Sequence, residues 1–354
     1  MAVSGGVDSG TAAKLLTDAG NECIGCTMKL SSNDDAGLER SRTCCSLEDA
    51  EDAAGVCRRL GMRHYVFNFS DVFRKRVMEP FAADYCSGCT PNPCIACNRF
   101  LKFGRLLERA EVLGCSHVAT GHYARIERRG DRFLLKKALD ASKDQSYVLY
   151  AMDQRQLAHT LFPLGELTKT QVRRIAAQAG FVNAEKPDSQ DICFAPDGDY
   201  AAAIGRITGR QAQPGDFIGT DGRLLGRHRG IVHYTVGQHR GLGLSLPEKR
   251  FVCRICPEDN TVVLGPEAAL YRRTVLVPAF HWIGGEVPAQ PLHGQARLRY
   301  RQPEQPVLAQ PLGGQAVRLY FDRPQRAVTP GQAAVLYDGD TVLGGVIGRE
   351  QPPE

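Results

Sequence analysis

Three groups of residues have the types and spacing that chemistry needs. The run Ser4-Gly5-Gly6-Val7-Asp8-Ser9-Gly10 lies between the short apolar stub Met1-Ala2-Val3 and a helical stretch carrying Ala12-Ala13-Lys14-Leu15-Leu16. Two glycines let the backbone turn tightly with its N–H groups facing inward, Ser4 and Ser9 add hydroxyls, and a helix N-terminus supplies positive potential. That is the pattern of a pyrophosphate cradle. It lacks the Gly-Lys-Ser/Thr ending of a Walker A loop and is not the dinucleotide GxGxxG. The bland alternative is a Gly-rich strand-to-helix turn with no ligand. Asp8 is the candidate carboxylate for Mg²⁺, which takes one or two carboxylates plus phosphate oxygens.

The second group is Cys86-Ser87-Gly88-Cys89-Thr90-Pro91-Asn92-Pro93-Cys94-Ile95-Ala96-Cys97-Asn98, two C-x2-C pairs. The spacing alone favours a closed four-Cys zinc site, with an iron–sulfur site as the other metal reading. Asp188-Ser189-Gln190-Asp191-Ile192-Cys193-Phe194 argues against it by placing a lone Cys in a polar loop that can face Cys97. Two Cys from distant loops suit thiolate and persulfide chemistry, in which one thiolate attacks sulfur and a second resolves the mixed species. The third group is Thr120-Gly121-His122-Tyr123 after an apolar run, together with the polar cluster Lys143-Asp144-Gln145-Ser146-Tyr147. Either segment by itself reads first as a loop or a helix cap.

These residues need elements to hold them. Short apolar runs at Cys23–Met28, His64–Phe69 and His117–Thr120 alternate with helical patterns over 47–60, 71–84 and 101–113. Strands alternating with helices predict parallel βαβ units, hence an α/β doubly wound parallel sheet over residues 1–195. After Pro196 Gly and Pro become frequent, and short alternating runs appear at 250–255, 261–264, 296–300 and 333–337. This texture predicts two smaller, mainly β modules, 196–270 and 271–354, the last a β-barrel. The Pro/Gly-rich stretch 278–291 either separates modules or hides a strand.

A chain of 354 residues suits two or three such units. The net charge of +5 is too small to announce a nucleic-acid binder. The distribution says more, with 9 basic and 3 acidic residues in 206–254 and 8 and 3 in 270–330. A solvated barrel surface would also carry such an excess. Of the 44 basic residues 34 are Arg, whose planar fork suits phosphate, although a GC-rich genome gives the same bias. Thirteen Cys point to metal or sulfur chemistry, not to a small disulfide scaffold. No membrane span or signal peptide is visible, so a cytoplasmic protein is expected.

Taken together the motifs resemble the bacterial tRNA-specific 2-thiouridylase family. The matching segments run almost end to end. They are Ser4–Ser9, Met28-Lys29, Cys44-Cys45-Ser46, Thr90–Asn98, Thr120–Tyr123, Lys143–Tyr147 and Asp188–Phe194, then Tyr234–Gln238 with Gly241–Gly243, Arg299-Tyr300-Arg301 and Pro330–Gln332. The resemblance implies an N-type ATP pyrophosphatase domain that adenylates the C2 oxygen of a wobble uridine and replaces it with sulfur. It implies ATP held by Ala2, Val3, Ser4, Gly5, Gly6, Val7, Asp8, Ser9, Met28 and Gly121, with Mg²⁺. Cys193 would carry a persulfide and Cys97 would be the nucleophile that releases its sulfur, by a Cys97–Cys193 disulfide or by freeing sulfide. Asn92, Pro93 and Cys94 would surround a flipped-out base, and His122, Lys143, Asp144, Gln145, Tyr300, Arg301 and Gln332 would contact tRNA. The implied partners are tRNAs for Glu, Gln and Lys and a sulfur-donating carrier or desulfurase.

Two departures from the family pattern matter. The first strand is cut to three residues, which raises the expectation of an upstream start. Cys94 stands where many members have Asp, so Cys94, Cys97 and Cys193 are a second candidate set, ligands of a [4Fe-4S] cluster that delivers sulfide. Two other readings stay open: an amide synthetase of the pyrophosphatase group, and a zinc-organised RNA-binding protein without catalysis.

Overall fold

A computed structural model describes residues 1–30, 47–181, 192–195 and 197–345. Cys44-Cys45-Ser46 and Asp188–Asp191 lie outside them. In the first half, β1 (Ile24–Lys29) pairs in parallel with β2 (Arg63–Asn68), and β3 (Val118–Ala119) pairs in parallel with β6 (Thr160–Leu161). The short stub joins the two pairs. Val3 N donates to the Cys26 carbonyl and Ala2 N to the Ala119 carbonyl, each at 2.8 Å. Counting the stub as the first strand, the strands lie in the order β2, β1, stub, β3, β6, so the winding reverses between the stub and β3. Ligands bind at such a switch point, at the carboxyl ends of the strands. The two turns that leave it are Ser4–Ser9 and Thr120–Tyr123.

Helices cover the sheet. Val7–Asp18 follows the first turn, and Leu47–Arg59 and Lys169–Gln178 pack near it. The helix over 70–86 is α-helical at Ser70–Phe73 and Glu79–Cys86 but π-helical at Arg74–Met78. The helix predicted over 101–113 starts earlier, at Pro93. The Asn92 side chain caps it by accepting from Cys94 N at 3.1 Å, and Pro93 occupies the first turn, where a missing N–H costs nothing. Its central turns, Cys97–Arg105, are again π-helical. Between β3 and β6 the chain leaves the sheet as a hairpin of β4 (Ala124–Arg129) and β5 (Arg132–Lys137).

The middle region opens with the helix Tyr200–Thr208, which the Gly/Pro texture did not disclose. Asp199 caps it from Ala202 N at 2.9 Å, and Gly209 ends it at φ 66°. Four strands follow in the order β8 (Leu224–His228), β7 (Gly215–Gly219), β10 (Thr261–Gly265), β9 (Phe251–Cys256), around Phe217, Tyr234, Val252 and Leu264.

The last third is a long antiparallel sheet. It runs β11 (Tyr271–Val277), β15 (Val317–Arg326), β14 (Gln305–Pro311), β13 (Leu292–Arg297), β16 (Val335–Asp338), β17 (Thr341–Gly345), then β5 and β4 from the first half. β12 (His281–Trp282), within 278–291, pairs with β17. The strand expected at 296–300 ends instead at Arg297. There Leu298 N turns to the Gln302 side chain, and the Arg299 guanidinium reaches out to the Val236 and Ala327 carbonyls at 3.0 and 2.9 Å. The hairpin is held by charge as well as by backbone. Arg297 donates to Asp144 at 3.3 Å and to Glu304 at 2.8 Å, and Lys137 pairs with Glu304 at 2.7 Å.

Candidate functional site

The cradle forms where the sequence places it. Gly5 takes φ 71°, and a Cβ there would lie 2.5 Å from the Asp49 carbonyl oxygen, so only glycine fits. Ser4 N donates to Ser9 Oγ at 3.1 Å, and Ser9 Oγ donates to the Gly6 carbonyl at 3.0 Å. Gly6 heads the helix Val7–Asp18 without a side-chain cap, so the first-turn N–H groups face outward to an incoming anion. A Cβ on Gly121 would lie 2.8 Å from the Asp8 carbonyl carbon and from Ser9 N. The second turn therefore packs flat on the first. These features fit a nucleotide's phosphates.

Asp8 is not an isolated carboxylate. Lys169 Nζ donates to both its oxygens, at 2.7 and 2.8 Å, and Tyr123 Oη donates to one at 2.9 Å. A cation on Asp8 would have to share that carboxylate with Lys169. Lys169 was not among the expected site residues, although its signal is present in the sequence. Thr168 and Gln171 form a capping box, so Lys169 is a cation at the positive end of a helix, which points to a nearby anion.

His122 is buried beside this turn. Lys102 Nζ donates to its Nε2 at 3.4 Å, leaving the ring proton on Nδ1 to bond Thr120 Oγ1 at 2.7 Å. Burial first, then the Lys102 charge, hold it neutral with a pKa well below 6.5.

Both thiols belong to one core cluster or pack against it. Cys97 is buried at the start of the π-helical turn and belongs to the cluster that contains Phe73, Phe81 and Phe194, against which Cys193 packs half-buried. Phe194 is the anchor. Its ring makes edge contacts to Phe73 at 5.8 Å and Phe81 at 5.1 Å, which fixes the neighbouring Cys193 on the helix over 70–86. Ala2 and Met28, from the nucleotide side, border the same cluster.

Cys94 is exposed and faces Tyr300, whose hydroxyl is pushed above its usual pKa first by burial, then by Asp144 and Cys94. Among the described residues no three His, Cys, Asp or Glu side chains gather as a metal site. Cys94, Cys97 and Cys193 do not form such a group. Likewise Cys86, Cys89, Cys94 and Cys97 do not close round a zinc ion.

Asn92 and Pro93 line a cavity of about 220 Å³ together with Phe81, Arg99, Tyr150 and Gln332. Thr90, just before them, ties three regions together. Its N–H donates to the Pro330 carbonyl at 2.8 Å, its carbonyl accepts from the Gln332 amide at 2.6 Å, and its hydroxyl donates to Thr235 Oγ1 at 3.2 Å. The other residues read as RNA contacts are spread out. Arg301 is exposed and Lys143 half-buried. Gln145 holds Tyr123 N at 2.9 Å, and Asp144 is buried, accepting from Ala138 N, Ser146 and Arg297.

Comparison with known proteins agrees with this architecture. Residues 1–197 match the family described as tRNA methyl transferase HUP domain, 206–266 the tRNA methyl transferase PRC-barrel domain, and 272–347 the aminomethyltransferase beta-barrel domain. The tRNA-specific 2-thiouridylase MnmA of Moorella thermoacetica is 48% identical over 348 residues, 98% of this chain and 97% of that protein. Its namesake in Acetivibrio thermocellus is 46% identical over 98% of each chain, and that of Clostridioides difficile 43% identical over 98% of this chain and 96% of its own. A solved NMN synthetase from Francisella tularensis overlaps 60% of this chain and 77% of its own at 18% identity, with a TM-score of 0.33. With a HUP match over more than half its length and full-length identity to these enzymes, the chain belongs to the family of bacterial tRNA-specific 2-thiouridylases.

Proposed function

We propose that this protein is an ATP-dependent sulfurtransferase that converts the wobble uridine of tRNA to 2-thiouridine. The observation that supports this reading is that one core cluster takes in Cys97 and has Ala2, Met28 and Cys193 packed against it, so the cradle and both thiols are built on the same body. ATP lies in the cradle of Ser4–Ser9 with its phosphates at the head of the helix Val7–Asp18, against Gly121. Mg²⁺, when bound, neutralises phosphate charge, and Asp8 is the carboxylate at hand.

The uridine O2 attacks the α-phosphorus and pyrophosphate leaves, which turns a poor oxygen leaving group into AMP. The terminal sulfur of a Cys193 persulfide then attacks C2 and AMP departs. The Cys97 thiolate attacks the Cys193 sulfur, so 2-thiouridine is released and a Cys97–Cys193 disulfide remains for a thiol reductant to open. Alternatively Cys97 frees hydrosulfide first, and that attacks C2. Asn92, Pro93 and Cys94 receive the flipped base.

Residues 196–270 and 271–354 act as RNA-holding modules beside the catalytic 1–195, with Tyr300, Arg301 and Gln332 nearest the base. The tRNAs for Glu, Gln and Lys, and a persulfide-bearing carrier or desulfurase, are the expected partners. No helix among the described residues is long and apolar enough to cross a membrane. The test is to incubate the protein with ATP, unmodified tRNA and a persulfide donor, then measure pyrophosphate and 2-thiouridine. Equal amounts of both support the reading, whereas tRNA binding without pyrophosphate release refutes it.

A further inference from the structure

A second cleft, of about 340 Å³, adjoins the cavity that holds Asn92 and Pro93, with Arg99 and Phe100 forming a wall of both. Arg76, Arg105 and Arg155 also line it, together with the carboxylates Glu108 and Asp153. The guanidinium carbons of Arg76 and Arg99 lie over the same Phe100 ring, 5.5 and 5.2 Å from its centroid. Arg105 is paired with Glu108, and Arg155 with Glu111 at 2.6 Å. Among the described residues neither Arg76 nor Arg99 has a carboxylate within ion-pair distance. Both come from π-helical turns, Arg74–Met78 and Cys97–Arg105, of the kind often found at functional sites.

Two like charges held on one ring repel each other, and a structural role would have matched each with an acid. Stacking on Phe100 instead fixes both planar forks in place at little entropic cost, with their N–H edges free to face a ligand. An anion with several oxygens is the complement. We propose that this cleft is a phosphodiester-binding site, which holds the RNA backbone next to the target uridine while the base enters the adjoining cavity. The proposal rests on the tRNA reading above. A base-sized apolar cavity and a guanidinium pair that share a wall match the two halves of one nucleotide, which favours RNA over an acidic protein segment.

The test uses the full chain and unmodified tRNA, with affinity measured as a function of salt. Arg76→Ala with Arg99→Ala should flatten the slope of log K against log salt by about 1 for each arginine removed, and Arg76→Lys with Arg99→Lys should restore most of it. A neutral methylphosphonate at the phosphate beside the target uridine should weaken binding to wild type but not further weaken the double alanine variant. Both arginines are exposed, so thermal unfolding should be unchanged. An unaltered salt slope, or a methylphosphonate effect of equal size in wild type and variant, overturns the proposal. So does a variant that binds tRNA normally yet no longer accepts sulfur from a protein donor, since the cleft would then serve a protein. If wild type itself neither binds nor thiolates tRNA, the functional reading has failed, and the proposal falls with it.

Discussion

The side-chain amide of Gln332 donates to the Thr90 carbonyl at 2.6 Å, and this bond fastens the last third of the chain to the loop that leads into Cys94 and Cys97. Pro330 completes the clasp by accepting from Thr90 N at 2.8 Å. Between them Gly331 sits at φ 88°, where a Cβ would lie 2.9 Å from Thr90 N. Gly331→Ala therefore combines left-handed strain of about 1–2 kcal/mol with a backbone clash. It should lower stability in urea unfolding by at least that amount and slow 2-thiouridine formation more than it alters ATP binding. Gln332→Ala loses one hydrogen bond, about 1 kcal/mol.

The cradle gives a second prediction. Lys169→Met leaves the Asp8 carboxylate with Tyr123 Oη but no matching charge, which should cost about 1–3 kcal/mol of stability and cut pyrophosphate release at least tenfold. Lys169→Arg should recover part of both. Gly121→Ala should raise the KM for ATP about tenfold, because its Cβ meets backbone atoms of Asp8 and Ser9 that cannot rotate away.

His122 sets a pH dependence. Its folded-state pKa lies well below 6.5 through burial, while the unfolded chain takes up its proton near 6.5. The unfolded state thus binds the proton first as pH falls. The contribution to stability is intact above about pH 6.5 and drains away below it, at about 1.4 kcal/mol per pH unit, until the folded-state value is reached. Urea unfolding at about pH 7.5 and 5.5 should show wild type losing more stability than His122→Gln. The depressed His64, His228 and His233 contribute alike to both proteins and cancel in the comparison.

Much of this site was legible in the sequence because local chemistry specified it. Ser4–Ser9 carries its reason in its own residues, a tight turn at a helix start, whereas Gly121 owes its place to the close approach of Asp8 and Ser9. A lone Cys193 in a polar loop suggested a partner for Cys97, but their roles as persulfide carrier and nucleophile came from the resemblance, since no local pattern links residues 96 apart. Lys169, Thr90 and Arg76 were missed because each gains its meaning from a partner far along the chain: Asp8, Gln332 and Phe100. The hairpin β4–β5 was missed for the same reason, since it completes a sheet whose other strands begin after residue 270. Two helices, Lys169–Gln178 and Tyr200–Thr208, carry caps at Thr168 and Asp199, the second of them overshadowed by the Gly/Pro texture that begins after Pro196.

Replacing either thiol should separate the two half-reactions. Cys97→Ser and Cys193→Ser should each abolish 2-thiouridine formation. Both should still release pyrophosphate when given ATP and tRNA, because neither thiol takes part in the adenylation step. A persulfide should form on Cys193 in the Cys97→Ser protein, where peptide mass spectrometry can detect it.

In the proposed reaction sulfur passes through Cys193 and Cys97 without a metal cluster. The direct measurement is a single turnover by iron-free protein, given a persulfide donor, ATP and unmodified tRNA under anaerobic conditions, with 2-thiouridine, pyrophosphate and the Cys97–Cys193 disulfide counted together. One of each per active protein is the predicted result. Formation of 2-thiouridine only after iron and sulfide are restored would contradict it.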